Sequence, residues 1–268
     1  MATLETLGLA VTPLEEPLSY PGRHAGGSFL LVDDRLITLG EARGQPIVAA
    51  GEDAVCAARL AGAGDLDAAL SSLHATPLRA RAPMVAVGSN AAPAQLRAKL
   101  LRWGAPVVVP ALQARVAGLG VGHSAHVARA GYVPAAPFAD RAARARLLVL
   151  WLDEAQRRAV DETEPSYVRQ PLPKACTVTL RCGRRLAGTE LYRSRHGLLS
   201  LDGAAPAPPM PQRALIDLLR RRLDVDERWP SAEAFVRACV GSQSLRAWVT
   251  RRLGELGLVA PDRLPGRG

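Results

Sequence analysis

A chain of 268 residues with 48% hydrophobic content is long enough to bury a sizeable core. No run approaches the roughly eighteen apolar residues that a membrane span needs, and the first residues lack the basic and apolar regions of a secretory leader, so a cytoplasmic protein is expected. The formal charge of +9 invites a polyanion reading, but lysine appears only at Lys99 and Lys174, the arginines are scattered along the sequence, and aromatic content is 4%. Nucleic acid is therefore not an expected partner. Cys56, Cys176, Cys182 and Cys239 are expected as free, mostly buried thiols, although Cys176 and Cys182 bracket a hairpin and so can face each other.

Residues 13–27 are rich in Pro and Gly and read as irregular. Residues 28–39 alternate apolar runs around Asp33-Asp34, which suits a hairpin. Residues 53–61 and 65–73 each open on an acidic cap and carry Ala and Leu at helical spacing, predicting two short helices. Residues 84–93, Met-Val-Ala-Val-Gly-Ser-Asn-Ala-Ala-Pro, read as a buried strand, a tight Gly88-Ser89-Asn90 loop and a helix that Pro93 opens and that ends near Trp103. Backbone N–H groups at such a turn have no partners within the helix and can hold a carboxylate or an oxyanion.

Strands are expected at 106–109 and 114–121. An aperiodic loop over 122–137, holding His123, Ser124, His126 and Tyr132, has a length more often seen in functional loops than in plain connections. A strand at 146–152 and a helix at 153–161 capped by Asp153 come next, followed by strands at 167–169, at 175–181, after a turn at Cys182-Gly183, and at 198–201. A proline-rich connector at 204–211 leads to three helices at 212–223, 231–240 and 244–256. The expected organisation is an N-terminal lobe over 1–80, a central domain over 81–205 and a C-terminal helical segment over 206–268.

The residues from Val160 to Arg169 read Val-Asp-Glu-Thr-Glu-Pro-Ser-Tyr-Val-Arg. Pro165 disfavours helical geometry at the residue before it, so Glu164 is expected in extended backbone just past a helix end, projecting from a loop. Read alone, Asp161, Glu162 and Glu164 are a solvated acidic cluster that Arg169 can pair with.

Together, Val87-Gly88-Ser89-Asn90 and this second segment resemble the γ-glutamylcyclotransferase-like family, which pairs a Tyr-Gly-Ser-Asn loop after its first strand with a downstream glutamate in a segment resembling Leu-Asp-x-x-Glu-Gly-x-x-Tyr-x-Arg. The likeness covers about residues 83–201. Val87 stands where the family has tyrosine, and Pro165 where it has glycine. The resemblance implies an α+β fold, a small mixed β-barrel with surrounding helices. It also implies a pocket in which Glu164 is catalytic and Val87, Gly88, Ser89, Asn90 and Tyr167 bind substrate, with His123, His126 and Arg169 as candidate lining.

The implied ligand is a small acidic or γ-glutamyl compound, cyclised to 5-oxoproline with release of an amine. One carboxylate can move both protons, and no cofactor or metal is needed. Two other readings stand beside it: a binding module without turnover, and a hydrolase built on Ser124 with His126 or His123. Gly-His-Ser-Ala-His lacks the Gly-x-Ser-x-Gly elbow expected of such a hydrolase.

Overall fold

The structure, a computed structural model, describes residues 2–40, 59–60 and 66–265. In chain order β1 is Ala2–Thr3, β2 Phe29–Val32, β3 Arg35–Gly40 and β4 Arg59–Leu60, followed by α1 at Leu66–Ser72, β5 at Ala82–Ala86 and α2 at Pro93–Arg102. Two long strands, β6 (Val108–His123) and β7 (Ala135–Leu152), lead to α3 (Glu154–Thr163). Then come β8 (Tyr167–Pro171), β9 (Thr177–Leu180), β10 (Arg185–Leu186), β11 (Glu190–Ser194) and β12 (Leu198–Leu199). The last part holds α4 (Gln212–Arg222), α5 (Ala232–Gly241), α6 (Gln243–Glu255) and β13 (Val259–Ala260).

Eleven strands form one mixed sheet whose main path runs β1-β3-β2-β6-β7-β5-β11-β8. Among the described residues the sheet is not closed, so the expected barrel is not formed. The reason lies in β6. It pairs β2 through residues 108–111 and β9 through 114–117, and β7 from Ala111 onward, so the sheet forks instead of returning on itself. The expected strands at 106–109 and 114–121 are one strand. Gly118, at φ 84°, sits in the register shift between Ala117 and Leu119, and the resulting bulge bends β6 without ending it. The expected strand at 146–152 likewise begins at Ala135, and the part before 146 escapes apolar patterning because Arg141 and Arg144 are exposed. The long loop accordingly shrinks to residues 124–134.

β5 lies between β7 and β11, antiparallel to one and parallel to the other. Its side chains alternate between two cores: Met84 and Ala86 join the cluster with Leu96, Leu100, Leu150, Val160 and Tyr192, whereas Val85 joins that with Leu112, Val149, Trp151 and Leu191. A strand buried on both faces holds its C-terminal end rigidly, and that end carries the loop at 87–90. A third cluster packs Phe235, Leu215, Ile216, Leu219 and Val249 of the C-terminal helices around Ala125, Val127 and Val133.

Asp153 caps α3 as expected: its carboxylate accepts from the Gln156 N–H at 2.9 Å while Gln156 Oε1 accepts from the Asp153 N–H at 3.0 Å, a reciprocal box of the kind that contributes about 1 kcal/mol. Gln156 also donates to the carbonyls of Pro106 and Val108, and buried Arg81 donates to Gln156 and to the carbonyls of Val108 and Trp151. This network fixes the start of α3 against β6 and β7, and so fixes where α3 ends.

The helix expected at 65–73 is α1. The one expected at 53–61 lies largely outside the described residues, and its described pair, Arg59–Leu60, is strand. Of the cysteines, Cys176 and Cys239 are free and buried, but Cys182 is disulfide-bonded, which corrects the expectation of free thiols throughout; Cys56 lies outside the described residues. No described helix is long and apolar enough to cross a membrane.

Candidate functional site

Two chain ends deliver the site. β5 ends at Ala86, and the next residues form a tight turn that passes through a short 3₁₀ segment at Ser89–Ala91 into α2. α3 ends at Thr163 with Glu164 as its C-terminal cap, at φ −117° and ψ 50°. Pro165 stops the helix there as predicted, but the backbone of Glu164 lies between helical and extended instead of fully extended. α2 and α3 pack through Leu96, Leu100, Ala159 and Val160, which brings the two ends together.

There Asn90 Nδ2 donates to Glu164 Oε1 at 3.0 Å. Lys99, one α2 turn from the helix end, reaches back so that Nζ lies 2.5 Å from the same Oε1 and 2.7 Å from Asn90 Oδ1. The side chains of Lys99 and Glu164 are 8% and 15% exposed. Lys99, Asn90 and Glu164 thus form a closed, mostly buried triangle that holds the carboxylate by one oxygen. Among the described residues Oε2 takes no hydrogen bond, nor is it buried without a partner, so it is the oxygen open to the cavity.

A cavity of about 290 Å³ lies over this triangle, lined by Val87, Gly88, Ser89, Asn90, Lys99, Glu164 and Tyr167, with Tyr20, His126, Tyr132 and Tyr192. Arg102, Trp103 and Arg129 stand at its margin. The N–H groups of Gly88 and Asn90 donate to no acceptor among the described residues, in keeping with an anion-holding turn.

Tyrosines build the wall. Tyr20 stacks on Tyr132 with ring centroids 4.3 Å apart, and its hydroxyl accepts the Ala135 N–H at 2.7 Å. The Tyr167 hydroxyl donates to the Ala135 carbonyl at 2.7 Å. Burial, reinforced by the negative charge of Glu164, pushes the Tyr132 phenol up to about 12 and those of Tyr20 and Tyr167 higher still, so all three stay protonated. Tyr20 was not legible as a site residue, since it falls in the stretch read as irregular. It nevertheless comes so close to the loop that a Cβ added at Gly88 would lie 2.4 Å from its hydroxyl. The loop thus packs against a hydroxyl that comes from sixty-seven positions before Val87 in the sequence.

His126 lines the cavity. Burial, and then the neighbouring His196, press its pKa down to about 3, so the imidazole is neutral. His123 does not line the cavity: its Nε2 accepts the Met210 N–H at 3.2 Å, and it faces the C-terminal segment. Arg169 is also outside. Its guanidinium grips Asp161 at 3.0 Å and Glu190 at 2.8 Å, while Arg157 reaches Glu190 and Tyr192 reaches Asp161, so Asp161 and Glu190 brace α3 against β8 and β11. Ser124 contacts His126 Nδ1 at 2.7 Å but is 0% exposed and not part of the cavity lining, so the geometry gives the hydrolase reading no exposed nucleophile.

No family model matches the sequence, and no curated protein matches it significantly. Among solved structures, a γ-glutamyl cyclotransferase matches with 13% identity and a TM-score of 0.34 over 69% of this chain and 92% of that one. An uncharacterized protein from Homo sapiens matches with 15% identity and a TM-score of 0.34 over 70% of this chain and 93% of that one.

Proposed function

We propose that the chain is a γ-glutamylcyclotransferase-like enzyme that cyclises a γ-glutamyl amide to 5-oxoproline and releases an amine. The observation that carries this reading is that the Glu164 carboxylate and the Gly88–Asn90 loop, seventy-odd residues apart in sequence, open on one cavity and touch through Asn90 at 3.0 Å. Its volume, near the small end of ligand pockets, suits one amino-acid-sized group.

In this reading Glu164 Oε2 takes a proton from the substrate α-ammonium. The freed amine attacks the γ-carbonyl carbon, forming the ring C–N bond. The carbonyl oxygen gains negative charge and is met by the N–H groups of Gly88 and Asn90; a donor so placed contributes on the order of 3 kcal/mol. Collapse breaks the original amide C–N bond as the proton on Glu164 passes to the departing amine; the ring nitrogen gives its second proton to the same carboxylate, which hands it on, so the lactam is neutral and the amine leaves as its ammonium. Lys99 and Asn90 hold Oε1 throughout, so the carboxylate turns neither toward nor away from the substrate.

Binding without turnover is the second reading. It is favoured by the ion pair itself, since Lys99 engages one oxygen of the proposed proton carrier. Incubation of the purified chain with a panel of γ-glutamyl amino acids and γ-glutamyl amines, with 5-oxoproline quantified, tests the proposal. Release from at least one class is expected; saturable binding with no release from any would move the assignment to the binding module.

A further inference from the structure

Behind one residue of the cavity wall, His126, lies a second, independent polar device. The Ser194 hydroxyl oxygen accepts the His196 N–H at 3.0 Å, the Ser194 and Ser124 hydroxyls are 2.6 Å apart, and Ser124 Oγ lies 2.7 Å from His126 Nδ1. Ser124 is 0%, Ser194 6% and His126 5% exposed, so water does not substitute for any member. A hydroxyl oxygen can accept twice, so the backbone N–H does not set the polarity by itself; the requirement that each buried hydroxyl hydrogen find an acceptor among the described residues does. Ser194 accepts from it and passes its own hydrogen to Ser124, its one other partner among the described residues; Ser124 passes its hydrogen to His126. Nδ1 is therefore an acceptor, and the ring proton of the neutral imidazole sits on Nε2. Among the described residues Nε2 makes no hydrogen bond, and it is not among the buried unpartnered atoms, so the atom left open on a residue that lines the cavity is an N–H. The ring is flanked by His196, tilted by 32° at 4.3 Å between centroids, and by Tyr167, edge-on at 6.1 Å.

We propose that the His196–Ser194–Ser124 relay locks His126 as a neutral Nε2–H donor that binds an acceptor oxygen of the ligand in the Glu164 cavity, making His126 a ligand-binding residue and Ser124 and Ser194 its positioning residues. A neutral donor suits a carboxylate or carbonyl oxygen, because it holds the oxygen without competing with Glu164 for a proton. The identity of the ligand as a γ-glutamyl compound rests on the function proposed above; the relay does not.

The test uses ¹⁵N-histidine-labelled full chain, with the His126 signals assigned from their loss in His126→Gln. At pH 7 Nδ1 is expected to resonate as a pyridine-type nitrogen and Nε2 as a pyrrole-type one; an Nδ1–H tautomer or an imidazolium overturns the relay. A γ-glutamyl dipeptide titrated into labelled Glu164→Gln, which holds the substrate uncleaved, is expected to move the Nε2 signal saturably. In the turnover assay His126→Ala is expected to raise KM at least tenfold with kcat within about twofold. Glutamine, whose amide nitrogen can occupy the Nε2 position, recovers most of the loss, whereas phenylalanine, which keeps only the ring, does not. Equal rescue by phenylalanine, or an unmoved Nε2 signal with turnover present, overturns the proposal and leaves cyclisation standing. A moved Nε2 signal without 5-oxoproline release upholds the donor and refutes cyclisation.

Discussion

Lys99→Met is the most informative perturbation of the site's architecture, because methionine keeps the apolar stem of the side chain and removes only the ammonium. In the folded chain that ammonium lies 2.5 Å from Glu164 Oε1 and 2.7 Å from Asn90 Oδ1, with the two charged side chains 8% and 15% exposed. Removing one member of a fully buried ion pair costs about 3–5 kcal/mol, because the other charge is left unsatisfied. Here Asn90 still donates to Glu164 and the cavity admits water to Oε2, so the expected loss is about 2–3 kcal/mol. Glu164→Gln should cost less, about 1–2 kcal/mol, since its amide oxygen still accepts from Lys99. The double variant should recover part of the sum, with a coupling of about 1 kcal/mol or more. Urea unfolding followed by both circular dichroism and tryptophan fluorescence measures all three, and coincident transitions license the comparison. A Lys99→Met chain within about 0.5 kcal/mol of wild type, or strictly additive costs, refutes the triangle as a coupled unit.

Other predictions follow from neighbouring contacts. Tyr20→Phe leaves the Ala135 N–H without its acceptor and should lower stability by about 1–3 kcal/mol in the same unfolding assay. Gly88→Ala forces a methyl to 2.4 Å from the Tyr20 hydroxyl and should cost a further ~1–3 kcal/mol, part of it recovered when Tyr20→Phe removes the obstructing oxygen; an equal cost in both backgrounds contradicts the contact. His126 makes stability pH-dependent. Its pKa falls from 6.5 to about 3 on folding, so the unfolded chain binds the extra proton between these values, and the contribution present above pH 6.5 is lost as pH falls toward 3. By pH 4 the loss is on the order of 3 kcal/mol, and His126→Gln should flatten that part of the stability profile relative to wild type.

The parts of the site that were readable are those in which local chemistry dominates. Gly88-Ser89-Asn90 between an apolar run and Pro93 declares a strand, a turn and a helix start, and Asp153 with Gln156 declares the start of α3. Pro165 correctly ends that helix at Glu164. What stayed hidden depends on pairing across the chain. Lys99 reads as an ordinary lysine in the last turn of a helix, and only the packing of α2 against α3 turns its amine onto Glu164.

Tyr20 sits among prolines and glycines with no period, and Ser194 falls in β11, a strand the apolar pattern did not reveal. The forked sheet was equally invisible. A glycine at 118 looks like a strand break in sequence, yet in the structure it is a bulge within a 16-residue strand. Arg169 shows the opposite case: placed beside the acidic residues it reads as a candidate for the pocket, but two carboxylates claim it for bracing.

The central claim is that Glu164 carries the protons of a γ-glutamyl cyclisation, and it is tested most directly by steady-state 5-oxoproline release from the best substrate by wild type and Glu164→Gln. Glutamine preserves the Asn90 and Lys99 contacts in size and shape but cannot accept a proton, so kcat should fall by about 10²–10⁴ with KM little changed. Equal rates in the two proteins would contradict the account.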